Sequence, residues 1–99
     1  MNELAAKPVV SIVIPVYNEE LIIEKAILDL IICRDQAGES YEVIITENGS
    51  VDQTRTLGLK LAARYPQVQL LTDDEANYGK ALKKGILAAK GEIIICEEI

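Results

Sequence analysis

Four short runs hold most of the side chains that could do chemistry: Pro15-Val16-Tyr17-Asn18-Glu19, Glu47-Asn48-Gly49-Ser50, Thr72-Asp73-Asp74 and Glu97-Glu98. Acids and amides supply charge and hydrogen-bonding capacity, and glycine lets a backbone approach a ligand closely. Histidine is absent. A Ser-His-Asp triad, a Cys-His pair and a histidine zinc site therefore cannot form within the chain. What remains is recognition of a polar ligand. Taken singly, each run is ordinary turn chemistry, and Asn-Gly-Ser is a common turn. Their weight depends on where the surrounding elements place them.

Those elements alternate at the spacing of βαβ units. Val9 to Val16, VVSIVIPV, is a near-continuous β-branched run that suits a central parallel strand, with Pro15 marking its last turn because proline cannot donate to the ladder. Asn18 is placed as the N-cap of a first helix, with Glu19 and Glu20 at the positive end of its dipole. Its apolar stripe is Ile22, Ile23, Ala26, Ile27, Leu30 and Ile31, and Gly38 stops it. Tyr41 to Thr46 is the second strand. Ser50 with Gln53 fits a capping box for a second helix, which buries Leu57, Gly58, Leu61, Ala62 and Tyr65 and ends at Pro66. Val68 to Leu71 is the third strand. The third helix carries Tyr78, Ala81, Leu82, Gly85 and Ala89 on one face, with Lys83, Lys84 and Lys90 outward, and Gly91 closes it. Glu92 to Cys96 is the fourth strand. Gly58 and Gly85 lie mid-helix on the inward stripe, where glycine costs roughly 1 kcal/mol relative to alanine; close approach of helix to sheet is the expected compensation.

The fold class is therefore α/β, Rossmann-like, a three-layer α/β/α sandwich with a parallel sheet of about four strands. In such a sheet every strand C-terminus lies along one edge, where ligands bind, and the following helices open on the same side with unpaired N–H groups. All four polar runs follow a strand, so all four converge on that rim. Four in phase favour a nucleotide-type site.

Composition narrows the classes. The 99 residues form one small domain or part of a larger one. The aromatic residues are four tyrosines, so the core must be aliphatic. A net charge of −6 argues against wrapping a nucleic-acid backbone, which needs clustered Lys and Arg, but admits a small phosphorylated ligand arriving with a divalent cation. The N-terminal MNELAAKPVV reads as neither a signal peptide nor a membrane span, and the expected compartment is cytoplasmic. Cys33 and Cys96 lack metal-ligand spacing and are expected to be reduced, buried small hydrophobes. No G-x-G-x-x-G follows the first strand, and Gly79-Lys80 lacks the rest of a P-loop. The lone strand-end aspartate of a response regulator is replaced by Glu47-Asn48.

Three segments in order, SIVIPVYNEE at 11–20, YEVIITENGSVDQT at 41–54 and NYGKALKKGILAAKGEIIICEE at 77–98, make the sequence resemble the family 2 glycosyltransferases, which have the GT-A fold and move a sugar from a nucleotide-sugar donor. Carried over position by position, the resemblance implies that Pro15, Tyr17 and Glu19 line a base and ribose pocket. Glu47 and Asn48 stand where the family usually has two aspartates, the second of which contacts base or ribose; an amide oxygen can still accept a base N–H. Gly79 and Lys80 would approach the diphosphate, Lys80 as a point charge. Glu98 would stand at the first acid of a D-x-D-like motif holding Mg²⁺ or Mn²⁺ against the donor diphosphate. The second acid, the acceptor half and the general base have no counterparts here, so no catalytic residue is assigned. The resemblance thus implies that residues 1–99 are the nucleotide-sugar-binding half of a metal-dependent, inverting glycosyltransferase, cut at its metal site and inactive alone. The acceptor is unread, and membrane association would come only through other segments. The alternatives are a non-catalytic nucleotide-binding or partner-completing module, and a homodimer formed through an exposed sheet edge.

Overall fold

The β-branched runs become strands and the helically periodic runs become helices in strict alternation: β1 (Val10–Val16), α1 (Ile23–Ala37), β2 (Tyr41–Asn48), α2 (Thr54–Arg64), β3 (Val68–Asp73), α3 (Tyr78–Ala88) and β4 (Ile93–Cys96). The structure, a computed structural model, describes residues 7–99, so most of the N-terminal stretch read above lies outside the described residues. One four-stranded sheet runs β3-β2-β1-β4, and every neighbouring pair is parallel.

β1 and β2 are central and covered on both faces, which is why neither alternates in sequence. On one face Val10, Ile12, Ile14, Val43 and Ile45 join Ile23, Ile27 and Ile31 of α1 and Leu61 of α2 in an aliphatic core. α3 covers the opposite face. There a Cβ on Gly85 would overlap Val13 Cγ1 and lie 3.0 Å from Thr46 Cγ2, so the missing side chain is what lets the helix rest on the sheet. Gly58 plays the same part for α2, where a Cβ would meet Leu70 Cδ1 at 3.0 Å. Both glycines have the packing role expected of them.

Pro15 sits inside β1, at the register position of Thr46. The carbonyls of Val9 and Val13 accept from Ile93 and Glu97 of the β4 side. By the alternation of a strand, the N–H that Pro15 lacks would also point that way, past Val13 and Cys96, the last β1–β4 pair. A proline is tolerated in a central strand because its neighbour has already ended.

Several local expectations are corrected. α1 begins at Ile23, not after Asn18, because Asn18 takes a left-handed conformation (φ 51°) and residues 19–22 form a turn closed by Ile23 N–H to the Glu19 carbonyl at 2.9 Å. The Ser50–Gln53 capping box does not form; α2 starts at Thr54, whose N–H donates to Asp52 Oδ1 at 2.9 Å. β2 and β3 each run two residues beyond their expected ends, to Asn48 and Asp73, since the two strands stay paired through that last step. α3 ends at Ala88, short of Gly91. Cys33 and Cys96 are exposed, not buried: one lies on the outer side of α1 and the other on the edge strand β4. Gly38 does terminate α1 in the left-handed region (φ 84°), and Tyr65 is extended before Pro66. None of the described helices is long and apolar enough to cross a membrane.

Candidate functional site

The loop after β1 and the loop after β2 are joined by reciprocal hydrogen bonds between positions more than thirty residues apart. Asn18 N–H donates to Ser50 Oγ (3.0 Å), and Val51 N–H donates back to Asn18 Oδ1 (2.9 Å). Glu19 N–H reaches Thr54 Oγ1 (2.7 Å), while Gln53 N–H donates to Glu20 Oε1 (2.8 Å). The Asn18 amide, expected to cap its own helix, thus holds the neighbouring loop. Glu20 N–H also donates to Asp52 Oδ2 (3.3 Å). Partial burial pushes Asp52 up, but the Thr54 hydroxyl and the Thr54 and Glu20 N–H groups outweigh it and keep its carboxyl below the ordinary range.

Beside this seam, the end of β2 is tied to the β3–α3 loop. Glu47 has a fully buried side chain and takes no part in the open rim: Oε1 accepts from Arg55 Nε at 2.7 Å, and Oε2 accepts from Ser50 N–H. Arg55 continues outward, donating to the Asp73 carbonyl at 3.1 Å and to Asp74 Oδ1 at 3.4 Å. Gly49 donates its N–H to the same Asp73 carbonyl at 2.7 Å with φ 73°. A Cβ there would come within 2.8 Å of Ala76 N, so only glycine allows the loop to lie against β2.

Between these supports a cleft of about 330 Å³ opens at the C-terminal edge of the sheet, lined by Pro15, Val16, Tyr17, Asn48, Ala76 and Tyr78. Successive strands progress one way from β1 to β3 and the other way to β4, so the switch point lies between β1 and β4, and the cleft stands beside it over the ends of β1 and β2. Tyr17 and Tyr78, 46% and 51% exposed, both line it. Asn48, nearly buried, donates Nδ2–H to the Val16 carbonyl at 2.8 Å.

α3 opens on this side as well. Asn77 Oδ1 accepts from Lys80 N–H at 3.0 Å, and the first-turn N–H groups of Tyr78 and Gly79 have no acceptor within the helix. A Cβ on Gly79 would have only Asn77 Oδ1 nearby, at 3.7 Å, which leaves the backbone open to a ligand. Lys80 Nζ lies 3.4 Å from both Asp73 Oδ2 and Glu75 Oε1. These acids, Asp73 first, raise the lysine above its usual range. Asp73 is held low, chiefly by the Glu75 N–H, against partial burial and with help from Lys80 and Lys84.

The structure brings Pro15, Tyr17 and Asn48 together in the cleft and withdraws Glu47 into its support; Glu19, Gly79 and Lys80 follow strands at the same edge of the sheet but lie outside the cleft lining, Lys80 in a second cavity with Asp73, Lys84 and Leu87. Ala76 and Arg55 were not singled out from sequence, and Tyr78, expected on the packing face of the third helix, stands exposed at the cleft instead because it opens that helix at the sheet edge. The signal for Arg55 was present, an acid closing a strand and an arginine in the first turn of the next helix. Glu98 accepts from the Tyr78 hydroxyl at 3.2 Å, which raises the phenol. Among the described residues no group of three or more His, Cys, Asp or Glu could hold a metal ion, and one exposed carboxylate bonded to a tyrosine does not by itself fit a divalent cation.

A parallel sheet with a cleft at its C-terminal edge, helices on both faces and an open helix N-terminus beside that cleft define the class, an α/β domain with a candidate ligand site at the strand ends. The family model "Glycosyl transferase family 2" matches residues 11–96, and the chain belongs to that family. It is 33% identical over 88 residues to the glycosyltransferase AglE of Haloferax volcanii, covering 88% of this chain and 29% of that protein. It is 35% identical over 97 residues to an undecaprenyl-phosphate 4-deoxy-4-formamido-L-arabinose transferase of Aeromonas hydrophila, covering 96% of this chain and 29% of that one. Among solved structures, a mannosyltransferase of Pyrobaculum calidifontis in complex with GDP-Man and Mn²⁺ superposes with a TM-score of 0.75 at 28% identity, covering 94% of this chain and 28% of the other. The chain thus spans under a third of the length of these relatives. The α/β fold with a parallel sheet expected from sequence is the GT-A arrangement of that neighbour.

Proposed function

We propose that the chain is the donor-binding half of a glycosyltransferase and that its cleft takes the nucleoside diphosphate of a nucleotide sugar. The observation that carries this reading is the meeting of Tyr17, Asn48 and Tyr78 with the open N-terminus of α3. The base lies against the tyrosines, where aromatic stacking contributes about 1–3 kcal/mol per base. Glu19 accepts from ribose hydroxyls. The diphosphate meets the N–H groups of Tyr78 and Gly79 and the Lys80 ammonium, which is exposed enough to exchange its acidic partners for phosphate. The family resemblance adds inversion at the anomeric carbon and a divalent cation, Mg²⁺ or Mn²⁺, which would neutralise the departing diphosphate. Glu98 would be one ligand in the whole enzyme, and the chain's own residues do not complete that site. Acceptor and general base belong to the whole protein, so the chain alone transfers no sugar.

The test is calorimetric titration of the chain with UDP and GDP, with and without Mn²⁺. Saturable binding that Tyr17→Ala and Lys80→Ala each weaken is expected. Binding indifferent to both substitutions, or steady sugar transfer by the chain alone, would overturn the proposal. The amide Asn48, standing where the resemblance implies an acid, favours one second reading, a nucleotide-binding module that completes a partner without chemistry; binding unchanged by Mn²⁺ would support it.

A further inference from the structure

We infer that Arg55 is a positioning residue for the cleft: it ties the β3–α3 loop to the end of β2, and nucleotide affinity depends on that tie although Arg55 itself stands outside the cleft lining. The inference rests on the donor-site reading above and deepens it. Arg55 lies in the first turn of α2, and its guanidinium is used twice. Inward, Nε donates at 2.7 Å to Oε1 of Glu47, whose side chain is fully buried. Outward, Nη2 donates to the Asp73 carbonyl at 3.1 Å and to Asp74 Oδ1 at 3.4 Å. Among the described residues, Arg55 is the one side chain from outside the loop and α3 that hydrogen-bonds residues 73–77.

β3 ends at Asp73 and α3 starts at Tyr78. The residues between hold one another through short-range bonds, Glu75 N–H to Asp73 Oδ1 (3.1 Å) and Asn77 N–H to the Glu75 carbonyl (3.0 Å). This loop supplies Ala76 to the cleft lining and delivers Tyr78 and the open N-terminus of α3. Its hold on β2 and α2 centres on the Asp73 carbonyl, which accepts from both Gly49 N–H (2.7 Å) and Arg55 Nη2. The two arms of Arg55 do different things. The inner pair offsets the cost of a buried carboxylate, so it sets stability. The outer arm ends on a carbonyl that keeps its Gly49 donor and on the fully exposed Asp74, so losing it costs little stability. What the outer arm fixes is where the loop lies. Without it, an arriving nucleotide must order the loop itself, at the cost of about one hydrogen bond, roughly fivefold in affinity.

The experiment measures UDP and GDP affinity by calorimetry, and the urea midpoint, for the unaltered chain, Arg55→Lys, Arg55→Met and the double variant Glu47→Met with Arg55→Met. Lysine is a point charge that can pair with Glu47 but lacks the fork that spans to Asp73 and Asp74. Expected for Arg55→Lys is a midpoint near that of the unaltered chain, with nucleotide binding roughly fivefold weaker. In the double variant the buried charge leaves with its partner, so the midpoint recovers relative to Arg55→Met while the affinity stays low. A merely structural arginine would let affinity return with the midpoint. The Ala76 and Asn77 amide signals of the nucleotide-free chain should move in every variant. Affinity that follows the midpoint, or equal binding by all four chains, would overturn this inference and leave the donor cleft standing. Failure of the unaltered chain to bind either nucleotide would overturn both.

Discussion

Gly85→Ala tests how α3 is placed, and with it the wall of the cleft. In an exposed helix the substitution would gain about 1 kcal/mol from propensity. At Gly85 the new Cβ overlaps Val13 Cγ1 and lies 3.0 Å from Thr46 Cγ2. Val13 is wholly buried, β-branched and held in the central strand, so it cannot yield by changing rotamer. Overpacking of this kind costs about 1–3 kcal/mol, and the overlap puts it toward the upper end. The net is a loss of about 1–2 kcal/mol, or a fall of roughly 4–15 °C in the melting temperature of a domain this size. Gly58→Ala is the control, because its nearest neighbour is the flexible tip of Leu70 at 3.0 Å. There the propensity gain offsets the contact and the melting temperature should change little or rise. Thermal unfolding of both variants by circular dichroism decides the matter. Gly85→Ala melting at or above the unaltered chain would refute the close-approach account, and equal shifts in the two variants would remove its spatial basis.

Gly49→Ala should be destabilising by about 1–2 kcal/mol from its positive φ alone, and more from the clash with Ala76 N; chemical denaturation should show a lower midpoint. Arg55→Met leaves the Glu47 carboxylate buried without its partner, so the midpoint should fall, and the double variant with Glu47→Met should recover part of that loss. Asp52 and Asp73 have carboxyls held below their ordinary values, so their stabilising contribution is complete above the unfolded value near 4 and disappears as pH falls through the lower folded value. Stability should accordingly be flat from neutral pH to about 5 and then drop, while Asp52→Asn with Asp73→Asn should flatten that acid limb. An unchanged limb in the double variant would assign it to other groups.

The layers of the fold were legible because doubly buried strands and one-sided helices leave different periods in a sequence. The strand ends were legible to within two residues, since a β-branched run that breaks into acids, amides and glycine is about to leave the sheet, although Glu47, Asn48, Thr72 and Asp73 themselves stay paired. What could not be read depends on contacts between distant residues. Asn18 carries every local mark of a helix cap, but its amide serves Val51 across the seam. Glu47 matched a family position for the ligand, yet its side chain faces Arg55 and the turn it supports. Cys33 and Cys96 have apolar sequence neighbours, but a helix has an outer side and β4 is an edge strand, so both are exposed. The cleft positions of Ala76 and of Tyr78, which helical spacing put on the packing face, were unreadable for the same reason: nothing local shows that the β3–α3 loop folds back over β2, where Gly49 and Arg55 hold it.

The most direct measurement is backbone amide chemical-shift mapping of the isotope-labelled chain during titration with UDP. Saturable shifts are expected at Tyr17, Asn48, Tyr78, Gly79 and Lys80, with the residues at the opposite edge of the sheet, Ser11, Glu42 and Gly91, undisturbed. Shifts centred on that opposite edge or on the outer side of β4, with the cleft residues silent, would contradict the account.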